Sequence, residues 1–237
     1  MNLDLFTTAQ GIEVLLRWMH VFAGVTWIGI LYYFNFIQTP FFGSEIGGSA
    51  KGPMTRGLVP NALWWFRWGA MFTFISGWAM VALRMHQGVP LDDGYMTKVL
   101  TGGLMGTFMW ANVWFVIWPA QQVVIANAEQ VAGGGDPIPE AAARGGKAGM
   151  ASRTNTLFSI PMLFFMISAA NLPSFLSGTN DMVYWLVAGG LIVAVEINGL
   201  IGPGAATQKP LTTVSGTIHG GLALWLVLYV IGAVLNS

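Results

Sequence analysis

The sequence predicts an all-α fold, a polytopic membrane bundle of about six transmembrane helices with the N and C termini outside. Three observations carry this. The 237 residues are 54% hydrophobic and 8% charged, against about 25% charged in soluble domains, and mean hydropathy is +0.62. Six stretches are long and apolar enough to cross a bilayer, since a span takes about 20 mainly apolar residues. Lysine and arginine gather in alternate connections, the asymmetry that orients membrane helices.

Taken in order, the first span is expected over 12–36. The first residues, MNLDLFTTAQGIE, carry two acids and no base before Arg17, the wrong start for a cleavable secretory signal, so the first apolar run is expected to stay as a span. Further spans are expected over 62–85, 99–125, 155–176, 182–202 and 214–235, together forming a single membrane domain over 1–237. The breaks carry loop chemistry: GSEIGGSAKGPMTRG, HQGVPLDDG, AGGGDPIPEAAARGGKAG, SGTND and GPGAATQKP are rich in the glycine, proline and small polar residues that punctuate helices. Lys51, Arg56, Arg144, Lys147, Arg153 and Lys209 fall on one side, which the positive-inside rule assigns to the cytoplasm. Arg84 and Lys98 fall on the other, with Arg17 inside the first span.

Composition excludes several functions. Net charge is zero, so no basic surface is offered and no nucleic acid is expected as a partner. With no cysteine, disulfides, iron–sulfur clusters, thiolate metal sites and covalent c-type haem attachment are excluded. There is no HExxH, no serine elbow and no pair of carboxylates within one span, so zinc proteolysis, acyl transfer and glycoside hydrolysis lack their groups. The glycines at 133–135 have no strand before them and no Gly-Lys-Ser/Thr after them, and read as a linker rather than a nucleotide cradle. Met105, Met109, Met162 and Met166 recur at helical spacing and read as core filler rather than copper ligands.

The remaining polar groups are the informative ones, because ionisable residues inside a span are costly and mark function. Helical rise sorts them into two layers. His20 lies roughly 12 Å below the outer surface, in the same half as Arg17, Asn171, Arg84 and His86. Arg67, Asn112, Glu196 and His219 fall roughly 8–10 Å above the cytoplasmic surface, where arginine and carboxylate can neutralise one another, either as an interhelical clamp or as a substrate or proton site. His20 is either an imidazole hydrogen-bonded to a neighbouring helix or an axial ligand of a b-type haem, with Gly24 and Gly29 leaving room for a flat macrocycle. His219 and His86 are the candidate second ligands.

The segment RWMHVFAGVTWIGILYYFNFIQTPFF and the following LVPNALWWFRWGAMFTFISGW resemble the membrane domain at the N-terminus of bacterial cytochrome-c-linked urate oxidases. The similarity runs through the whole chain and is strongest over the first two helices, with NALWWFRWGA the most specific piece. The His20-x6-Trp27-x-Gly29 pattern also resembles the first helices of copper-resistance-type and protoporphyrinogen-oxidase-type membrane proteins, whose helix histidine is associated with b-type haem. The urate oxidase resemblance implies a multi-pass protein of the bacterial inner membrane that oxidises urate to 5-hydroxyisourate and passes electrons to cytochrome c. Full-length members carry a cytochrome c domain after the membrane part; no CxxCH precedes Ser237 here, so a separate cytochrome is the expected acceptor. On this reading Arg67, among Trp64, Trp65, Phe66 and Trp68, offers a bidentate fork to the urate monoanion, Asn112 adds an amide, Glu196 and His219 are candidate bases, and His20 holds haem b. Two other readings stay open: a non-catalytic haem-binding or structural subunit of a larger membrane redox complex, and a small transporter.

Overall fold

The structure is a computed structural model that describes residues 3–176, 181–201 and 204–235. It is all-α. Helix α1 runs over Ala9–Phe42, started by Thr8, whose Oγ1 accepts the Gly11 N–H at 3.0 Å. A π-helical segment, Tyr33–Gln38, interrupts it and turns Asn35 inward, so that Asn35 Nδ2 donates to Leu31 O and to Ser152 Oγ at 2.9 and 2.8 Å. Helix α2, Glu45–Gly57, occupies the stretch read from the sequence as a loop. Ser44 Oγ accepts the Gly47 N–H at 3.1 Å, and Glu45 and Arg56 in the first and last turns complement the helix dipole. These end effects outweigh the glycines and proline within.

Helix α3 spans Val59–His86 and α4 spans Gly94–Ala132, capped by Asp93, whose Oδ1 accepts the Tyr95 N–H at 2.9 Å. A second π segment, Asn112–Ile117, lies within α4. Helix α5 covers Ala141–Asn171, so the second half of the predicted AGGGDPIPEAAARGGKAG linker is its first turns. Helix α6 covers Met182–Leu200, a 3-10 turn covers Ala206–Thr212, and α7 covers Val214–Leu235. Positions 177–180 of the predicted SGTND turn, and Gly202 at the predicted end of the fifth span, lie outside the described residues.

Among the described residues, α1, α4, α6 and α7 are long and apolar enough to cross a membrane. Helices α3 and α5 are long but less apolar. In α3, four tryptophans and two arginines lower the hydropathy. Helix α5 is central: it packs on α4, α6, α7 and, more sparsely, α1, and its Thr154, Asn155, Thr156 and Ser159 are fully buried. A helix surrounded by protein has less lipid to match, so its polar side chains bond within the bundle.

Two subassemblies result. Helices α1 and α3 form an antiparallel pair so close that a Cβ on Gly69 would stand 3.1 Å from Trp27 N. Helix α4 runs antiparallel to α5, with Lys98 Nζ donating to Leu172 O and Phe175 O at 2.8 and 2.7 Å where α5 ends. Helix α7 runs parallel to α5, with Gly220 and Gly221 against Leu157 and Gly232 against Phe175. The α1/α3 pair meets α4 through an aromatic ladder: Trp68 on Trp114, Phe74 stacked on Trp110 at 4.1 Å, and Trp78 Nε1 donating to Thr107 Oγ1 at 3.3 Å.

Candidate functional site

Between the α1/α3 pair and the α4/α5 pair lies a cavity of about 670 Å3, within the range of about 300–1,000 Å3 usual for small-molecule and cofactor sites. It exists because glycines replace side chains along its walls: Gly29 on α1 and Gly103 on α4 line it and have nothing within 4 Å of a built Cβ. The walls are otherwise aromatic, aliphatic and thioether side chains, among them Trp27, Tyr32, Met162 and Met166. Trp27, 1% exposed, has a buried indole N–H without a partner among the described residues.

His20 stands in the α1 wall of this cavity. Its ring lies against α3 where that helix has no side chain: a Cβ on Gly77 would be 3.0 Å from His20 Cε1 and 3.3 Å from Nδ1. His20 Nδ1 lies 2.8 Å from Thr73 O. A carbonyl only accepts, so Nδ1 carries the proton, and Ser76 Oγ lies 3.3 Å from the same nitrogen. The Nε2 lone pair has no partner among the described residues. His20 is therefore an imidazole hydrogen-bonded to the neighbouring helix α3, one of the two alternatives the sequence offers, and the carbonyl fixes its tautomer and ring orientation.

A charged group closes the mouth of the cavity one to two turns further toward the N-terminus of α1. Glu13 Oε1 accepts from Arg17 Nη2 and, at 2.8 Å, from Arg84 Nη2, and the Arg84 guanidinium sits 5.3 Å from the Tyr95 ring. Two arginines share one carboxylate, so the mouth carries excess positive charge. Arg84 Nε is buried and has no partner among the described residues.

A second polar cluster is sealed between α4, α5 and α6. Asn112 Nδ2 donates to Asn155 Oδ1 at 2.9 Å and to Glu196 Oε2 at 3.2 Å, and Asn155 Nδ2 donates to Met109 O at 2.9 Å. The three residues are 2%, 0% and 6% exposed. Asn112 begins the π segment of α4, a distortion that recurs at functional sites.

Residues 94–202 match the family model described as urate oxidase N-terminal. No curated protein and no solved structure matches the chain. The urate oxidase match covers a little under half of the chain and takes in α4, α5 and α6. It therefore includes the α4/α5 wall of the cavity and the whole Asn112–Asn155–Glu196 cluster, and leaves out the first two predicted spans, where the resemblance was read as strongest.

The predicted site residues divide accordingly. Asn112 and Glu196 are brought together. Arg67 does not join them: its Nε donates to Leu63 O at 3.3 Å and its guanidinium lies 3.4 Å over the Trp118 ring and 5.6 Å from the Trp114 ring. Its charge is met by aromatic faces rather than by a carboxylate. His219 is not brought to His20; it is exposed on α7, with Nδ1 2.7 Å from Ser215 O in its own helix. His86 is exposed at the end of α3. Among the described residues no three histidine or carboxylate side chains cluster as a metal site, so His20 is the one predicted ligand that faces the cavity. Sequence reasoning missed Glu13, Asn155 and Thr73 as members of these clusters, while Gly77 is one of the glycines whose small size allows close approach between helices. The Glu13, Arg17 and His20 spacing of four and then three residues was the available signal for a shared helix face.

Proposed function

We propose that the chain is a membrane redox protein of a urate-oxidising system, holding haem b in the cavity beside His20 and passing electrons to a cytochrome c at the bacterial inner membrane. The observation that carries this is the open Nε2 of His20, fixed by Thr73 O at 2.8 Å, on the wall of a glycine-lined cavity of about 670 Å3. The match of residues 94–202 to the urate oxidase N-terminal family supplies the substrate class. In this reading His20 would hold the haem iron through Nε2, Arg17 and Arg84 would offer positive charge to its carboxylates, and the glycines would leave room for it. When bound, the haem supplies one-electron transfer. Conversion of urate and one water to 5-hydroxyisourate releases two protons and two electrons, so two one-electron cytochrome c acceptors would be reduced for each urate oxidised. The bundle as a whole is read as six spans, with α3 and α5 crossing together with the four more apolar helices.

Arg67 on its tryptophan faces, close to Asn112 in depth, is the candidate anion site for urate, with Glu196 as the proton acceptor. One observation favours an accessory role instead: Asn112, Asn155 and Glu196 bond one another in a sealed cluster, which suits a clamp in a haem-carrying subunit of a larger complex whose substrate is oxidised elsewhere.

The test is an optical spectrum of the purified protein. A Soret band that shifts on dithionite reduction is expected, and is lost in H20A. Urate, added to membranes containing the protein and cytochrome c, is expected to reduce the cytochrome. A colourless protein defeats the haem reading; a coloured protein that urate never reduces leaves the accessory role.

A further inference from the structure

We infer that the cavity between the α1/α3 pair and the α4/α5 pair is a lipid slot, which takes one acyl chain of an anionic phospholipid with its phosphate on Arg17 and Arg84. This goes beyond the haem reading and does not rest on it; haem and the chain would compete for the space beside His20. The shape of the cavity is the first support. Its lining runs along α4 from Tyr95 to Thr107 and along α1 from Arg17 to Tyr32, about 18 and 22 Å at the helical rise. One leaflet's share of the hydrocarbon core is about 15 Å deep, so the slot has the length of an acyl chain that hangs from the headgroup level.

The second support is where the cavity opens. Val21 and Val25 of α1 and Leu163 and Ile167 of α5 line it and are exposed, and α1 touches α5 only sparsely. Between these helices the slot is open along its side, on the surface that a bilayer would cover. One chain of a two-chain lipid enters there while the other stays in the bilayer, a path that the single chain of a free fatty acid does not need. The third support is charge. Arg17, Arg84 and Tyr95 stand at one end, close to where α3 ends at His86 and α4 begins at Gly94, the level of the lipid headgroups. Glu13 is shared by both arginines, which leaves one positive charge, the complement of a phosphodiester. Arg84 Nε is buried without a partner among the described residues, so an acceptor oxygen is wanted there, and Arg17 is exposed enough to reach outward.

The experiment is native mass spectrometry of the full chain, purified in detergent and given equal amounts of dioleoylphosphatidylglycerol and dioleoylphosphatidylcholine, with haem absorbance and thermal unfolding measured alongside. One phosphatidylglycerol per chain is expected, preferred about tenfold, since each basic side chain at a membrane surface attracts an anionic lipid roughly fivefold and partial burial strengthens this. R84Q is expected to lose the preference and R84K to keep it. G103L fills the slot from a position with nothing within 4 Å of a built Cβ, and is expected to lose both lipids with its unfolding midpoint unchanged. Equal retention of the two lipids, G103L retaining phosphatidylglycerol like the unsubstituted chain, or oleate displacing it at one per chain each overturns the inference. A haem-filled chain that holds no lipid overturns it and leaves the haem reading standing; a colourless chain that holds phosphatidylglycerol does the reverse.

Discussion

Gly77→Ala places one methyl group where the His20 ring now lies, 3.0 Å from Cε1. In the apoprotein the cost is small. The ring swings into the cavity, and Thr73 O, which also accepts from Ser76 Oγ at 3.2 Å, is not left bare. On the haem reading a bound haem would change this, because Nε2 would be held toward it only while Nδ1–H stays on Thr73 O. Overpacking costs about 1–3 kcal/mol, and an interhelical hydrogen bond in a membrane protein averages about 0.6 kcal/mol, up to about 1.7. The two effects together weaken haem binding by about 2–4 kcal/mol, on the order of 30- to 700-fold in affinity. The assay is haem titration of detergent-solubilised apoprotein, followed at the Soret band, with thermal unfolding of the apoprotein in parallel. The expected result is a large loss of affinity with an unfolding midpoint nearly unchanged. An affinity within threefold of the unsubstituted protein would refute the claim that Gly77 seats the ligand histidine.

Two further substitutions test the packing that holds the cavity open. Asn155→Leu removes the bonds to Asn112 and Met109 O and is expected to destabilise the bundle by about 1 kcal/mol, at about 0.6 kcal/mol per bond, measured by unfolding in mixed micelles; a loss of haem with no change in stability would contradict the clamp. Gly221→Ala puts a Cβ 2.8 Å from Leu157 O and 2.6 Å from Ile160 Cδ1, and because the first of these is backbone, it is expected to cost about 1–3 kcal/mol. The same unfolding assay checks it, and an unchanged midpoint would mean that α5 and α7 are not packed as closely as described.

How much could be read from the sequence depends on whether one dimension or two are needed. His20 was legible as a single costly residue in an apolar run, and so was the depth of Arg67, Asn112 and Glu196, because helical rise fixes position along an axis. Rise says nothing of direction around it. Arg67 and Glu196 are expected at one depth, yet Arg67 turns onto Trp118 while Glu196 meets Asn112. Direction is also why Met162 and Met166 read as core filler: spacing places them on one face of α5 without saying whether that face meets a neighbour or a void. The α2 helix was illegible for a different reason. Its glycines and proline are loop-forming by composition, and only the Ser44 cap and the terminal charges argue for a helix. Glu13 reads in the sequence as one of two acids near the N-terminus, and only the helix begun by Thr8 at Ala9 shows it sharing a face with Arg17, which it pairs with.

The two polar clusters differ in what they can do, and the difference follows from which helices meet. Asn112, Asn155 and Glu196 join three helices that all lie within residues 94–202, the region related to the urate oxidase N-terminal family, and they bond one another with no cavity between them. His20, Glu13, Arg17 and Arg84 belong to the α1/α3 pair, outside that region, and face the α4/α5 wall across open space. A group seated there would touch both subassemblies, with His20 on one and the α4/α5 wall on the other. The α1/α3 pair otherwise meets α4 mainly through the aromatic ladder from Trp68 to Trp78, so whatever fills the cavity also helps dock the two halves. Binding free energy for the docked state adds to its stability through mass action. The His20 side of the cavity is thus the half whose docking a bound group would strengthen most, whereas the Asn112–Asn155–Glu196 cluster ties its three helices together without one.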